Sequence, residues 1–210
     1  MPIKAAFFDL DGVAFDTEPQ YSIFWGSVCR QYHPELPGLE RKIKGQTLVQ
    51  IFDAHFQDVR QQQTIVKGLD EYEANMTYQY VPGFDDFVRS LRHMGLKTAL
   101  VTSSNMVKMN VVYKAHPEFQ SLFDLILTSE DFSESKPSPA CYLLAASRFN
   151  LSPGDCIVFE DSFNGLRSAR AAEMTVVGLT TTNTADTIGD LCDFTIADFT
   201  DTQVMKPISD

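Results

Sequence analysis

The sequence is short of positive charge. Its 210 residues hold 17 Lys and Arg against 28 Asp and Glu, a formal net charge of −11. That balance argues against a nucleic-acid or anionic-membrane surface, either of which needs a basic footprint. It also means that an anionic substrate must be drawn in by local cations against the overall field. Cysteines are few and scattered (Cys29, Cys141, Cys156 and Cys192), and no CxxC pair occurs, so neither a zinc ribbon nor a dithiol redox motif is signalled. Cys156 opens an apolar run and reads as a reduced core thiol. No apolar run approaches the roughly 18 residues of a membrane-spanning helix. No cationic leader precedes a long apolar region, so a cytoplasmic protein is expected. Internal repeats and low-complexity tracts are absent. Hydrophobic residues make up 44% of the chain and charged ones 21%, an ordinary globular balance. The length suits one sizeable domain with a small insertion.

What is present is an alternation of short apolar runs with helical periodicity. Residues 3–8, 97–102, 124–128, 156–160, 175–179 and 194–196 read as strands. Between them lie amphipathic stripes: Phe84, Phe87, Val88 and Leu91; Met106, Met109, Val112 and Tyr113; and Tyr142, Leu143, Ala146 and Phe149. Near-continuous apolar strands alternating with helices predict an α/β fold, a Rossmann-like parallel sheet flanked by helices. Residues 17–80 break the rhythm. They hold no convincing strand but three aromatic-rich stripes at 3- and 4-residue spacing: Tyr21 to Tyr32, Leu48 to Phe56 with Thr47 as N-cap, and Ile65 through Met76 to Tyr80. An all-helical block is therefore expected after the first strand, closed by the Val81-Pro82-Gly83 turn. The stripes themselves read as packing, which leaves function to the loops. The tail after Phe199 shows no clear periodicity and is expected to pack loosely.

The chemistry gathers at strand ends. The first strand runs out in Asp9-Leu10-Asp11-Gly12-Val13. Alternate residues of a strand share a face, so the two carboxylates sit close and repel, and a cation is the usual remedy. Alone, this pair is also compatible with a solvated turn. The second strand ends in Thr102-Ser103-Ser104-Asn105, where hydroxyls and amides at a helix start make an anion site, although Ser104 or Asn105 also reads as a plain helix cap. Lys136 stands in Ser135-Lys136-Pro137-Ser138-Pro139, a loop stiffened by two prolines. The fourth strand ends in a second acidic pair, Glu160-Asp161. In a parallel sheet all of these fall on the carboxyl edge, where ligands bind. Four carboxylates against one lysine call for a divalent, oxygen-liganded metal, which points to Mg²⁺ rather than zinc. A phosphate would then be held by the metal, Lys136 and the Thr102–Ser103 amides, with one carboxylate placed to attack phosphorus.

The set Asp9-Leu10-Asp11-Gly12-Val13, Val101-Thr102-Ser103-Ser104, Ser135-Lys136-Pro137 and Glu160-Asp161 resembles the four motifs of the haloacid dehalogenase superfamily over essentially the whole chain. The block after the first motif is similar to the small helical cap of its β-phosphoglucomutase-like branch. The resemblance implies a discontinuous core of residues 1–16 and 81–210 and a cap domain of residues 17–80. It implies that Asp9 is the nucleophile and forms an aspartyl-phosphate, and that Asp11 is the general acid and base. It assigns Mg²⁺ to Asp9, the main chain of Asp11, Glu160 and Asp161, and phosphate to Thr102, Ser103 and Lys136. Lys44 and Gly45 fall in the cap's specificity loop, and Ser104 and Asn105 join them as substrate-side residues. Asp11 sets the chain apart from the metal-free dehalogenases, which lack an acid there.

The expected activity is hydrolysis of a small phosphorylated metabolite, with no nucleic-acid or membrane partner, by a monomer or weak homodimer. Alternatives are a β-phosphoglucomutase-type mutase, an inorganic pyrophosphatase, and a non-enzymatic metal-dependent phosphate-binding regulator. The mutase reading is weakened by Leu48 and Tyr21, which stand where those mutases carry Arg and His. The regulator reading is weakened by Asp11, since binding alone needs no general acid.

Overall fold

All six expected strand segments form strands in the computed structural model, which describes residues 2–44, 46–205 and 208. They are β1 (Ala5–Phe8), β2 (Lys97–Val101), β3 (Leu125–Leu127), β4 (Cys156–Glu160), β5 (Thr175–Leu179) and β6 (Phe194–Ile196). All pair in parallel, in the order β3-β2-β1-β4-β5-β6. Helices α1 (Glu18–Tyr32), α2 (Leu39–Lys42), α3 (Leu48–His55) and α4 (Val59–Glu73) lie between β1 and β2, and α5 (Phe84–His93) leads into β2. The crossovers are α6 (Met106–Ala115), α7 (Ala140–Arg148), α8 (Phe163–Ala171) and the short α9 (Ala185–Ile188).

The apolar strands are two-sided, as a covered parallel sheet requires. Ala6, Phe8, Leu100 and Phe159 face α5 and α6, where Phe84, Phe87, Leu91 and Met109 are buried with them. The alternate residues Ala5, Phe7, Val101 and Val158 face α7 and α8 and pack on Tyr142, Ala145 and Leu166. Phe8 is the hub of the first layer. Its ring stacks on Phe159 at 4.8 Å and meets Phe84 edge-on at 5.6 Å. All four cysteines are buried and unpaired, in keeping with reduced core thiols. Among the described residues no helix is long and apolar enough to cross a membrane.

The inserted helices have an apolar cluster of their own, built on Val28, Ile43, Ile51, Phe56 and Ile65. Thr47 caps α3 as expected: its hydroxyl accepts the Gln50 amide, and the Gln50 side chain accepts the Thr47 amide in return.

Two expectations need correction. The third stripe does not run helically to Tyr80. α4 stops at Glu73, and the chain beyond it lies against the segment leaving β1, with the Asp16 amide on the Gln79 carbonyl at 2.9 Å and the Val81 amide on Ala14 at 3.0 Å. Tertiary pairing thus takes the backbone groups that a longer helix would have used. Nor are the described residues of the tail loose. Val204 and Ile208 are buried in the layer around Phe8 with Phe199 before them, which lies 5.1 Å from the Phe87 ring.

Because Phe8 is enclosed by five other aromatic rings, Phe8→Ala should cost about 3–5 kcal/mol. Urea denaturation followed by circular dichroism measures that loss.

Candidate active site

The strand order puts β1 between β2 and β4, so the segments after these three strands converge on one edge. Asp9 extends β1 by one ladder bond, its amide donating to the Phe159 carbonyl at 3.2 Å. The chain then turns at Gly12, whose φ is +73°. A Cβ at Gly12 would overlap the Asp161 carboxylate, so the turn needs glycine for its backbone angle and for space.

Lys136 is the centre of the arrangement. It is buried, in the loop carrying the cis Lys136–Pro137 peptide, and its ammonium makes three donations. These reach Asp9 Oδ1 at 2.8 Å, Glu160 Oε1 at 2.6 Å and the Val101 carbonyl at 2.9 Å. Burial disfavours the charge, but Asp9 and Glu160 outweigh it and raise the ammonium above its ordinary value. Glu160 is fully enclosed, and its Oε1 also accepts the Tyr142 hydroxyl at 2.6 Å. Gly165 on α8 leaves room for that carboxylate, which a Cβ there would strike.

One oxygen each from Asp9, Glu160 and Asp161 lie within 4.8 Å of one another. Burial pushes the Asp9 carboxyl up to about 7, against the pull of Lys136 and with the help of Glu160 and Asp11. Asp161 is raised by burial and then by Glu160, Glu18 and Asp9. Its Oδ2 accepts the Thr182 hydroxyl, while its Oδ1 is buried with no hydrogen-bond partner among the described residues. Three clustered carboxylates, one ammonium and an orphaned buried oxygen fit a divalent cation with oxygen ligands.

Asp11 turns away from that group. Its Oδ1 accepts the Thr17 hydroxyl at 2.7 Å, and its Oδ2 accepts Ser104 Oγ at 3.3 Å and the Lys108 ammonium. Thr102 is buried at the end of β2, and its Oγ1 accepts the Ser104 amide at 3.0 Å. Asn105 caps α6 through the Lys108 amide, so of its two readings as substrate contact and as helix cap the structure displays the cap. Ser103 is exposed toward a cavity of about 430 Å³ that joins the strand edge to the inserted helices. Lys44 reaches that cavity from the insert, paired with Glu18 at 3.5 Å and donating to the Thr182 carbonyl at 3.3 Å. Gly45 lies outside the described residues.

The structure thus brings Asp9, Asp11, Thr102, Ser103, Ser104, Lys136, Glu160 and Asp161 to one edge. Four further residues had escaped sequence reasoning: Thr17, Lys108, Tyr142 and Thr182. No sequence signal marks Lys108, since a lone lysine on an amphipathic helix ordinarily faces water.

The haloacid dehalogenase-like hydrolase family model matches residues 3–173. The validoxylamine A 7′-phosphate phosphatase of Streptomyces hygroscopicus subsp. limoneus is 28% identical over 207 residues, covering 94% of this chain and 95% of its own. The phosphorylated carbohydrates phosphatase of Thermotoga maritima is 27% identical over 178 residues, covering 81% and 82%. The crystal structure of β-phosphoglucomutase from Clostridium difficile superposes with a TM-score of 0.80 at 19% identity, covering 99% of this chain and 96% of that one.

Removing one of three crowded carboxylates tests the charge imbalance. In EDTA, Asp161→Asn should raise the melting temperature by about 2–4 °C for each kcal/mol of relieved repulsion. Addition of a divalent cation should raise the melting temperature of the unsubstituted protein in differential scanning fluorimetry, and Asp161→Asn should lose that rise.

By its sequence and its fold together, the chain belongs to the haloacid dehalogenase-like hydrolases, as a phosphatase sharing the fold of the β-phosphoglucomutases.

Proposed function

We propose that this protein is a Mg²⁺-dependent phosphohydrolase that cleaves a small phosphate monoester, of the phosphorylated-sugar kind, through an aspartyl-phosphate on Asp9. The observation that carries the reading is the anchoring of Asp9: Lys136 grips one carboxylate oxygen, and two further buried carboxylates crowd the same place.

Asp9 and Asp161, with Glu160 and the main-chain oxygen of Asp11, would hold the cation. Between the two acids that end β4, Asp161 is the stronger direct ligand. Glu160 Oε1 already accepts from Lys136 and Tyr142, whereas Asp161 Oδ1 accepts nothing from the described residues. Bound there, Mg²⁺ would offset charge on the transferring phosphoryl group.

The chain's own residues perform the rest. Thr102, Ser103 and Lys136 bind the phosphoryl oxygens. A carboxylate oxygen of Asp9 attacks phosphorus, and the ester oxygen leaves with the proton of Asp11. Water then attacks the aspartyl-phosphate, giving a proton back to Asp11, and phosphate departs with Asp9 restored. Nucleophile and acid need opposite protonation states at one pH. The turn at Gly12 serves this by sending the two side chains into separate surroundings. Residues 17–80 act as a cap domain over the core of residues 1–16 and 81–210, closing the cavity while phosphorus is transferred.

A mutase reading needs cationic residues for a second phosphate. The described residues lining the cavity include no arginine, and Leu48 lies in the lining. Of its lysines, Lys136 is taken by the transferring phosphate, which leaves only Lys44, paired with Glu18, and Lys108, paired with Asp11, for a second one. A monophosphate is the better fit, and the activities named for the relatives agree with it.

Asp9→Asn should abolish phosphate release from p-nitrophenyl phosphate and Mg²⁺ while keeping the circular dichroism spectrum, and Asp11→Asn should lose about 10²–10⁴-fold on sugar phosphates. Hexose monophosphates should be turned over faster than hexose bisphosphates in a malachite-green assay. Wild-type turnover by Asp9→Asn would defeat the assignment, and a preference for bisphosphates would revive the mutase.

A further inference from the structure

The phosphatase reading uses Asp11 but leaves unexplained the company it keeps. Lys108 projects from α6 of the core and is 4% exposed. Its ammonium meets Asp11 Oδ2, lies 2.5 Å from the Tyr21 hydroxyl, and sits 3.9 Å from Glu73 Oε1. The Tyr21 hydroxyl in turn donates to Glu73 Oε1 at 2.6 Å. Tyr21 belongs to α1 and Glu73 closes α4, so one buried lysine ties a core carboxylate to two inserted helices.

A lysine taken out of water costs free energy unless its charge is met. Here it is met by Asp11 on one side and Glu73 on the other. Thr17 takes the remaining oxygen of Asp11, so neither oxygen of that carboxylate is left to swing. Burial and the charges of Asp11 and Glu73 push the Tyr21 phenol upward, which keeps it a neutral donor.

Resting on the phosphatase reading, we propose that Lys108 is a positioning residue for the acid Asp11. Tyr21 and Glu73 act through it, so that the acid is aligned with the leaving oxygen when the inserted helices are docked on the sheet edge. Lys108 itself transfers no proton and touches no phosphate. It fixes the direction in which Asp11 delivers its proton to the ester oxygen. An apolar side chain of equal length would fill the space without holding Asp11.

The leaving group separates positioning from mere structural support. p-Nitrophenolate departs without a proton, whereas the alkoxide of a sugar phosphate needs one. Lys108→Met should therefore lower kcat/KM for a hexose phosphate roughly 10²-fold and that for p-nitrophenyl phosphate far less. Tyr21→Phe, which removes only a hydroxyl, should show the same bias at smaller size and guards against a Lys108→Met chain that fails to fold. In an Asp11→Asn background, Lys108→Met should add almost nothing, because the two act on one step. Equal losses on both esters, or full additivity with Asp11→Asn, would overturn the inference while leaving the phosphatase reading in place. Failure of the unsubstituted protein to hydrolyse either ester would remove that reading and the inference with it.

Discussion

The site depends on one buried ammonium shared among three acceptors. Lys136 joins β2, through the Val101 carbonyl, to the acids that end β1 and β4. At an effective dielectric of about 20, like charges within 4.8 Å repel by roughly 3 kcal/mol or more per pair. One lysine cannot cancel three such carboxylates, and the surplus shows in Asp9 and Asp161, both held above their ordinary range chiefly by burial. The surrounding sheet, covered on both faces, keeps those charges together. Two glycines mark how closely: side chains at Gly12 or Gly165 would occupy the space of Asp161 or Glu160. The apolar layers around Phe8 and Phe7 therefore hold in place an arrangement that by itself would fly apart.

The same edge separates two acids that are neighbours in sequence. Had the strand continued, Asp9 and Asp11 would have pointed the same way and competed for the same cation. The left-handed turn at Gly12 ends the ladder instead. Asp9 joins the acidic group over Lys136, while Asp11 passes to Thr17, Ser104 and Lys108. Each carboxylate then has a lysine of its own, Lys136 for the first and Lys108 for the second. Two lysines in two environments give two carboxylates separate work within one cavity.

Much of this was legible in the sequence because it rests on local rules. Strand residues buried on both faces read as apolar runs, and all six were found within a residue or two at each end. The strand-end residues read as ligands because a parallel sheet leaves polar groups few other reasons to follow apolar ones. What stayed hidden depends on distant partners. The end of α4 is decided by the pairing of Gln79 and Val81 with Asp16 and Ala14, more than sixty residues away in the chain. The burial of Phe199, and of Val204 and Ile208 after it, is decided by the aromatic layer around Phe8. Lys108 carries no mark of its role in the sequence, because a lone lysine in an amphipathic helix ordinarily faces water. Only the fold shows it turned inward toward an acid 97 residues earlier.

A sequence obeys binary patterning wherever stability alone decides, and departs from it where another demand is met. Lys108 and Glu73 both break the pattern of their helices by burying a charge, and each is tolerated only because the other, with Asp11, is there to receive it. Such a cluster is costly in either separated half, since the core alone would leave Lys108 with one partner and the inserted helices alone would leave Glu73 with Tyr21. Docking the two halves satisfies all four groups together. The charge that violates the helix pattern thus makes the position of the inserted helices matter to the acid at the sheet edge, which an apolar contact of the same size could not do.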